Sequence, residues 1–152
     1  MKVFIGADHR GFKLKQEIIK VLTKRGLDVV DMGTSTDKES CDYPLIGYNV
    51  AREVAKSKDH RGILVCMTGI GQAITANKVP GAYAALCYNA EAARLSREHN
   101  NANILVLGAK FTKKADLHKI VKTWLEADFE GGRHQRRVDQ IKKIEKGLKI
   151  KS

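Results

Sequence analysis

Five short apolar runs rich in β-favouring residues recur along the chain, over residues 3–7, 28–32, 62–67, 82–88 and 103–107, with stretches of helical periodicity between them. The spacing of Leu14, Ile18, Val21 and Leu22 before the second run, and of Leu117, Ile120, Val121, Trp124 and Leu125 after the fifth, puts apolar side chains on one face of a helix. Ile63, Leu64, Val65, Cys66 and Met67 are apolar at every position, which is the pattern of a strand covered on both faces. Strand and helix alternate throughout, so the chain is predicted to be α/β, with a five-stranded parallel sheet between helical layers. Its 152 residues suffice for one such domain. Pro44 and Pro80 are the only prolines and no repeat or linker is visible, so residues 1–132 and the basic helix and tail of residues 133–152 read as parts of one domain.

Several classes of function fall away. No apolar run approaches the roughly 18 residues of a membrane span, and the apolar stretch in residues 1–8 is too short for a signal peptide, so no membrane role and a cytoplasmic location are expected. Cys41, Cys66 and Cys87 form no C-x-x-C pair, which argues against a disulfide framework or a zinc site. The net charge of +11 suggests nucleic acid, but residues 133–152 alone hold 8 Lys/Arg against 2 Asp/Glu, or +6. That concentration reads as a solvated helix face and tail, and at 6% aromatic content the chain lacks the stacking residues of a nucleic-acid groove.

In an open parallel sheet, ligands sit beyond the carboxyl ends of the strands. After the first run come Asp8, His9, Arg10 and Gly11; after the third, Thr68, Gly69, Ile70 and Gly71; after the fifth, Gly108, Ala109 and Lys110. Cys66 to Gln72 passes from strand through two glycines into a helix, where backbone N–H groups can converge on an oxyanion at the positive end of the helix dipole. No G-x-x-x-x-G-K-[ST] occurs, and Ile74 stands where a dinucleotide fingerprint needs a third small residue. A nucleotide cofactor is therefore not expected.

A strand end that meets a helix start is the kind of position that lowers a thiol's pKa from about 8.5 toward neutrality, and a thiolate there can serve as a base. Cys66 has that position, whereas Cys87 reads as a core residue and Cys41 lies in a polar loop. His9 directly follows a strand, and His99 closes the helix before the fifth run; His60 and His118 lie among charges and read as solvated. On the last helix, Val138, Ile141, Ile144 and Leu148 share a face, and at about 100° per residue Arg133 and Arg137 fall near its centre while Arg136 does not. Two arginines turned inward suit a phosphate, and Gly131 and Gly132 would let the helix reach a partner subunit.

Asp8-His9-Arg10-Gly11, Asp42-Tyr43-Pro44, Cys66 through Gly71 with Ala76-Asn77-Lys78, His99-Asn100, and Gly131 through Val138 resemble, in order and spacing, the ribose/galactose isomerase family, which includes the type B ribose-5-phosphate isomerases and the galactose-6-phosphate isomerase subunits. The resemblance implies a Rossmann-like three-layer α/β/α sandwich, a homodimer or tetramer with active sites at the dimer interface, and interconversion of ribose 5-phosphate and ribulose 5-phosphate through a cis-enediolate without metal or cofactor. It makes Cys66 the base, gives His99 ring opening, and puts Thr68 beside the base. The amides of Met67, Gly69, Ile70 and Gly71 would steady the enediolate, Asp8, His9, Tyr43 and Asn100 would hold hydroxyls, and Lys110, Arg133 and Arg137 would hold phosphate, with His134 close by. Met67 stands where many relatives have glycine and Lys110 where arginine is common, which leaves a six-carbon substrate such as allose or galactose 6-phosphate open. A non-catalytic sugar-phosphate sensor is the other alternative, and it would need neither Cys66 nor His99.

Overall fold

The computed structural model describes residues 1–151. Five strands, β1 (Lys2–Ala7), β2 (Asp28–Asp31), β3 (His60–Cys66), β4 (Ala84–Leu86) and β5 (Ile104–Gly108), form one parallel sheet in the order β2-β1-β3-β5-β4. Helices α1 (Phe12–Lys24), α2 (Tyr43–Ala55), α3 (Ile70–Ala76), α4 (Ala90–Asn100) and α5 (Lys114–Glu126) connect or follow them, and α6 (Arg133–Glu145) completes the fold. This is the expected three-layer arrangement.

Alternation along each central strand sorts side chains between two buried faces. Val3, Ile5, Ile63, Val65, Leu105 and Leu107 join Ile18, Leu22 and Trp124 in the core beneath α1, α4 and α5. Phe4, Leu64, Ile104 and Val106 face the other way, onto Val50, Val54 and Ala76 of α2 and α3. Both faces are covered, which is why the third run is apolar at every residue. The fourth run yields only Ala84–Leu86 rather than residues 82–88. It is an edge strand, and side-chain amides take over its entry: Tyr83 N–H donates to Asn103 Oδ1 at 2.8 Å and Ala84 N–H to Asn77 Oδ1 at 2.9 Å.

Among the described residues no helix is long and apolar enough to cross a membrane. One buried charge lies outside the expected pattern. Lys15, on the Ile18–Leu22 face of α1, is fully buried and donates from Nζ to Asp31 Oδ1 at 2.7 Å and to the Thr34 carbonyl at 2.5 Å. That bridge fixes the turn after β2, whose Gly33 carbonyl and Thr34 N–H bond the backbone of Ala7, immediately before Asp8.

Candidate active site

The strand order reverses around β1 and β3, and their carboxyl ends carry Asp8 and Cys66. Register places Ala7 beside Val65 and Cys66 beside Gly108, so the ends of β1, β3 and β5 stand in a row. Asp8 is 6% exposed and accepts the Gly11 N–H at 2.9 Å, closing a tight turn. A Cβ at Gly11 would lie 2.7 Å from the Val65 carbonyl, so the turn can approach β3 this closely only with glycine. His9 Nδ1 accepts the Cys41 N–H at 3.3 Å, which leaves Nε2 as its donor nitrogen.

Cys66 faces the α2–α3 side, 5% exposed, and its sulfur accepts the Gly69 N–H at 3.2 Å. Gly69 caps α3 at φ +84°, a left-handed conformation that bends the chain back over the sulfur. Ile70 N–H donates to Thr68 Oγ1 at 3.2 Å, leaving the Thr68 hydroxyl proton for another acceptor. The next first-turn amides, Gly71 and Gln72, have no partner within a helix that starts here. The loop is stapled to the end of β5 by Ala109 N–H to the Cys66 carbonyl and Lys110 N–H to the Met67 carbonyl, both at 2.9 Å. Tyr43 lies over the helix start, since a Cβ at Gly71 would come within 2.4 Å of its ring. Asp8, Tyr43, Cys66, Thr68 and Lys110 thus gather at one end of the sheet, with Met67 and Ile70 side chains 38% and 50% exposed beside them. Burial pushes the Cys87 thiol's pKa up, in keeping with a core role.

The other expected residues lie elsewhere. His99 and Asn100 end α4, which delivers the chain to the start of β5, so they sit at the amino end of the sheet. At ~3.3 Å per residue the length of β5 puts this end roughly 15 Å from Cys66. There His99 and His134 stack with ring centroids 4.2 Å apart and planes inclined by 10°. His134 is 5% exposed, and its pKa is lowered by burial first, then by His99 and Arg133, against a smaller opposing pull from Glu130. Its Nε2 lies 3.3 Å from a Glu130 carboxylate oxygen without the alignment of a hydrogen bond. His99, Glu130 and His134 are the one group of this kind among the described residues whose ligand atoms approach a common point, within 4.8 Å of one another. The two parallel rings send their in-plane lone pairs side by side, so a shared metal would require one ring to turn.

The expectation that Arg133 and Arg137 turn toward the core is not met. Both are exposed, and the residues α6 buries are His134 and Val138. The helix lies along the amino end of the sheet against α4, gripping it by one edge, which leaves Ile141, Ile144 and Leu148 at 43%, 57% and 57% exposure. Lys15 and Glu130 were not among the expected residues. Lys15 has a readable signal in its place on the α1 apolar face; Glu130 has none.

A parallel sheet with a thiol and unpaired amide donors at its switch point defines a Rossmann-like α/β/α protein equipped to move a proton beside a developing oxyanion. The chain belongs to the ribose/galactose isomerase family, whose model matches residues 3–141. It is similar to the solved ribose-5-phosphate isomerase B of Clostridium thermocellum, with 52% identity and a TM-score of 0.92 over 97% of this chain and 99% of that one. The ribose-5-phosphate isomerase B of Mycoplasma genitalium, solved with bound ribulose-5-phosphate, is 44% identical with a TM-score of 0.92, covering 95% and 96% of the two chains. The Escherichia coli ribose-5-phosphate isomerase B is 44% identical over 144 residues, 95% of this chain and 96% of its own.

Proposed function

We propose that this sugar-phosphate aldose–ketose isomerase interconverts ribose 5-phosphate and ribulose 5-phosphate, with Cys66 as the base. The observation that carries the assignment is the Cys66 sulfur held against the Gly69 N–H at 3.2 Å, at the mouth of a loop with further amides unpaired. Cys66 as thiolate takes the C2 proton of the open aldose, the electron pair forms the C1–C2 double bond, and negative charge collects on O1. Donors fixed before the reaction stabilise that charge without reorganising, which is where such a site gains most of its rate. A proton passes from O2 to O1 and the thiol returns its proton to C1, giving the ketose. Asp8, His9 and Tyr43 hold hydroxyls, and Lys110 reaches the phosphate end. The family relative bound to ribulose-5-phosphate supports the five-carbon substrate, and the Met67 side chain beside the thiol favours the smaller sugar.

The rest of the site comes from a second copy. A pentose phosphate cannot bridge the roughly 15 Å between Cys66 and His99 in one chain. Setting the carboxyl end of one sheet against the amino end of its twin brings His99, Asn100, Arg133, His134 and Arg137 of the partner subunit over the Cys66 loop, and two-fold symmetry makes two such sites. The pairing also covers apolar side chains left open in one chain, Ile70 and Ile74 on one end and Ile141, Ile144 and Leu148 on the other. His99 then opens the furanose, and the arginines anchor the non-reacting phosphate so that its binding energy orients C1 and C2.

The test is a ketose assay on the purified protein with ribose 5-phosphate, run beside allose and galactose 6-phosphates. Ribose 5-phosphate should give the highest kcat/KM, and Cys66→Ala should lower its turnover about a thousandfold while leaving the circular dichroism spectrum unchanged. A folded Cys66→Ala protein that keeps more than about a tenth of kcat would remove Cys66 from the role of base.

A further inference from the structure

A groove of about 500 Å³ runs between α6 and the segment joining α2 to β3, near the amino end of the sheet. Lys58 and Arg61 stand on one wall, Lys142 and Lys146 on the other. Glu145 is the one acid lining it, and its two oxygens are engaged by the Gly81 N–H at 2.9 Å and the Tyr83 hydroxyl at 3.4 Å. Among the described residues Lys58, Arg61 and Lys146 make no ion pair, and Lys142 meets Asp139 only at 3.9 Å. Arg61 donates through one nitrogen to the Lys58 and His60 carbonyls at 2.8 and 2.9 Å, leaving the rest of its fork open.

Behind Arg61 lies Arg97, 5% exposed, bonded to the Asn101 side chain at 3.0 Å and the Ala102 carbonyl at 2.7 Å rather than to a carboxylate. Burial and the nearby Arg61 bring the Arg97 pKa down to about 10; Asp128 opposes this from a distance, as Asp59 does for Arg61. Two partly desolvated guanidinium groups near one another, neither in an ion pair among the described residues, are costly, and an anion in the groove would offset that cost.

We infer that this groove is a second anion site, for a small ligand carrying two or more phosphate groups, one set engaging Lys58 and Arg61 and another Lys142 and Lys146. Cations facing each other across a cleft suit a compact polyphosphate, where a nucleic-acid backbone needs a basic stripe. The site is separate from the arginines proposed to hold the substrate phosphate. At about 100° per residue Gln135, Val138 and Lys142 share one side of α6, and Arg133 and Arg137 fall on roughly the opposite side. Since α6 buries only His134 and Val138 against the body, a bound polyphosphate ties the helix to the segment that carries Lys58 and Arg61.

Calorimetric titration of tripolyphosphate into the full protein at physiological ionic strength tests this. Binding should weaken about tenfold or more in Lys142→Glu/Lys146→Glu, with isomerase kinetics unchanged. It should change less than about twofold in Lys119→Glu/Lys122→Glu, which makes the same charge change on exposed positions of α5. It should persist in Arg137→Ala. A nucleoside triphosphate and a sugar bisphosphate, titrated in parallel, distinguish the sources of the phosphates. The inference is overturned by absence of binding, by equal loss in both charge-reversed pairs, by loss in Arg137→Ala, or by duplex DNA binding that tripolyphosphate does not displace.

Discussion

Cys66 and His99 stand at opposite ends of the same parallel sheet, one closing β3 and the other in the helix that leads into β5. A reaction that needs both therefore needs two chains, and mixing variants measures this directly. Cys66→Ala and His99→Ala proteins, each nearly inactive alone, should regain roughly a quarter of wild-type activity after subunit exchange. Half of randomly reassembled dimers are mixed, and each mixed dimer has one intact site of two. Mass spectrometry of the mixture reports the exchange; mixed dimers without recovered activity would place each site within one chain.

Arg133 and Arg137 are exposed in the single chain, as is Arg136, so burial does not distinguish them. Direction does. Arg137 shares the exposed flank of α6 with Ile141 and Ile144, which the proposed partner covers, while Arg136 points away from it. Arg137→Ala should weaken substrate binding by about 2–4 kcal/mol, the cost of removing one member of a desolvated charge pair, and Arg136→Ala should change it little. Equal effects in isothermal titration with a phosphorylated substrate analogue would refute this orientation.

How much of this was legible in the sequence depends on which force placed each residue. The central strands were plain because both faces are buried, so Ile63 to Met67 had no polar alternation to confuse them. The edge strand β4 was overestimated because Asn77 and Asn103 take its first backbone groups, and apolar character does not report side-chain capping. The Cys66 loop was readable because the Gly69 turn is local. The division of the proposed site is partly legible: Gly131 and Gly132 point the last helix toward a partner, and chain order adds His99, because in a parallel sheet a residue closing one strand and a residue leading into another lie at opposite ends. The His99–His134 stack depends on the path of residues 127–132, where no periodicity speaks.

His134 makes a prediction about stability. Burial, His99 and Arg133 hold its pKa in the folded chain below the ordinary histidine value of about 6.5. The unfolded chain then binds the proton more readily, so this contribution to stability is complete above pH ~6.5 and is lost as pH falls through that value toward the folded pKa. Urea midpoints of the wild type should therefore fall more steeply between pH 7.5 and 5.5 than those of His134→Gln, which has no proton to gain. Parallel slopes would show that His134 titrates alike in both states.

The last prediction separates the two proton-handling residues by what each sugar form requires. Ribose 5-phosphate is mostly a closed furanose, whereas ribulose 5-phosphate has its 5-oxygen phosphorylated and cannot close a five-membered ring. Ring opening is needed only for the aldose. If His99 serves that step, His99→Ala should nearly abolish net conversion of ribose 5-phosphate yet largely spare exchange of the C1 proton of ribulose 5-phosphate with deuterated solvent, which needs only Cys66 and the loop whose unpaired amides stabilise the enediolate. Cys66→Ala should lose both. Comparing kcat/KM in the two directions cannot make the distinction, because the overall equilibrium constant ties those values together, whereas exchange reads the enediolate step by itself. Loss of C1 exchange in His99→Ala as complete as in Cys66→Ala would mean that the imidazole reaches the enediolate as well, which its position at the proposed interface, stacked on His134, permits only if the partner loop closes directly onto the ring.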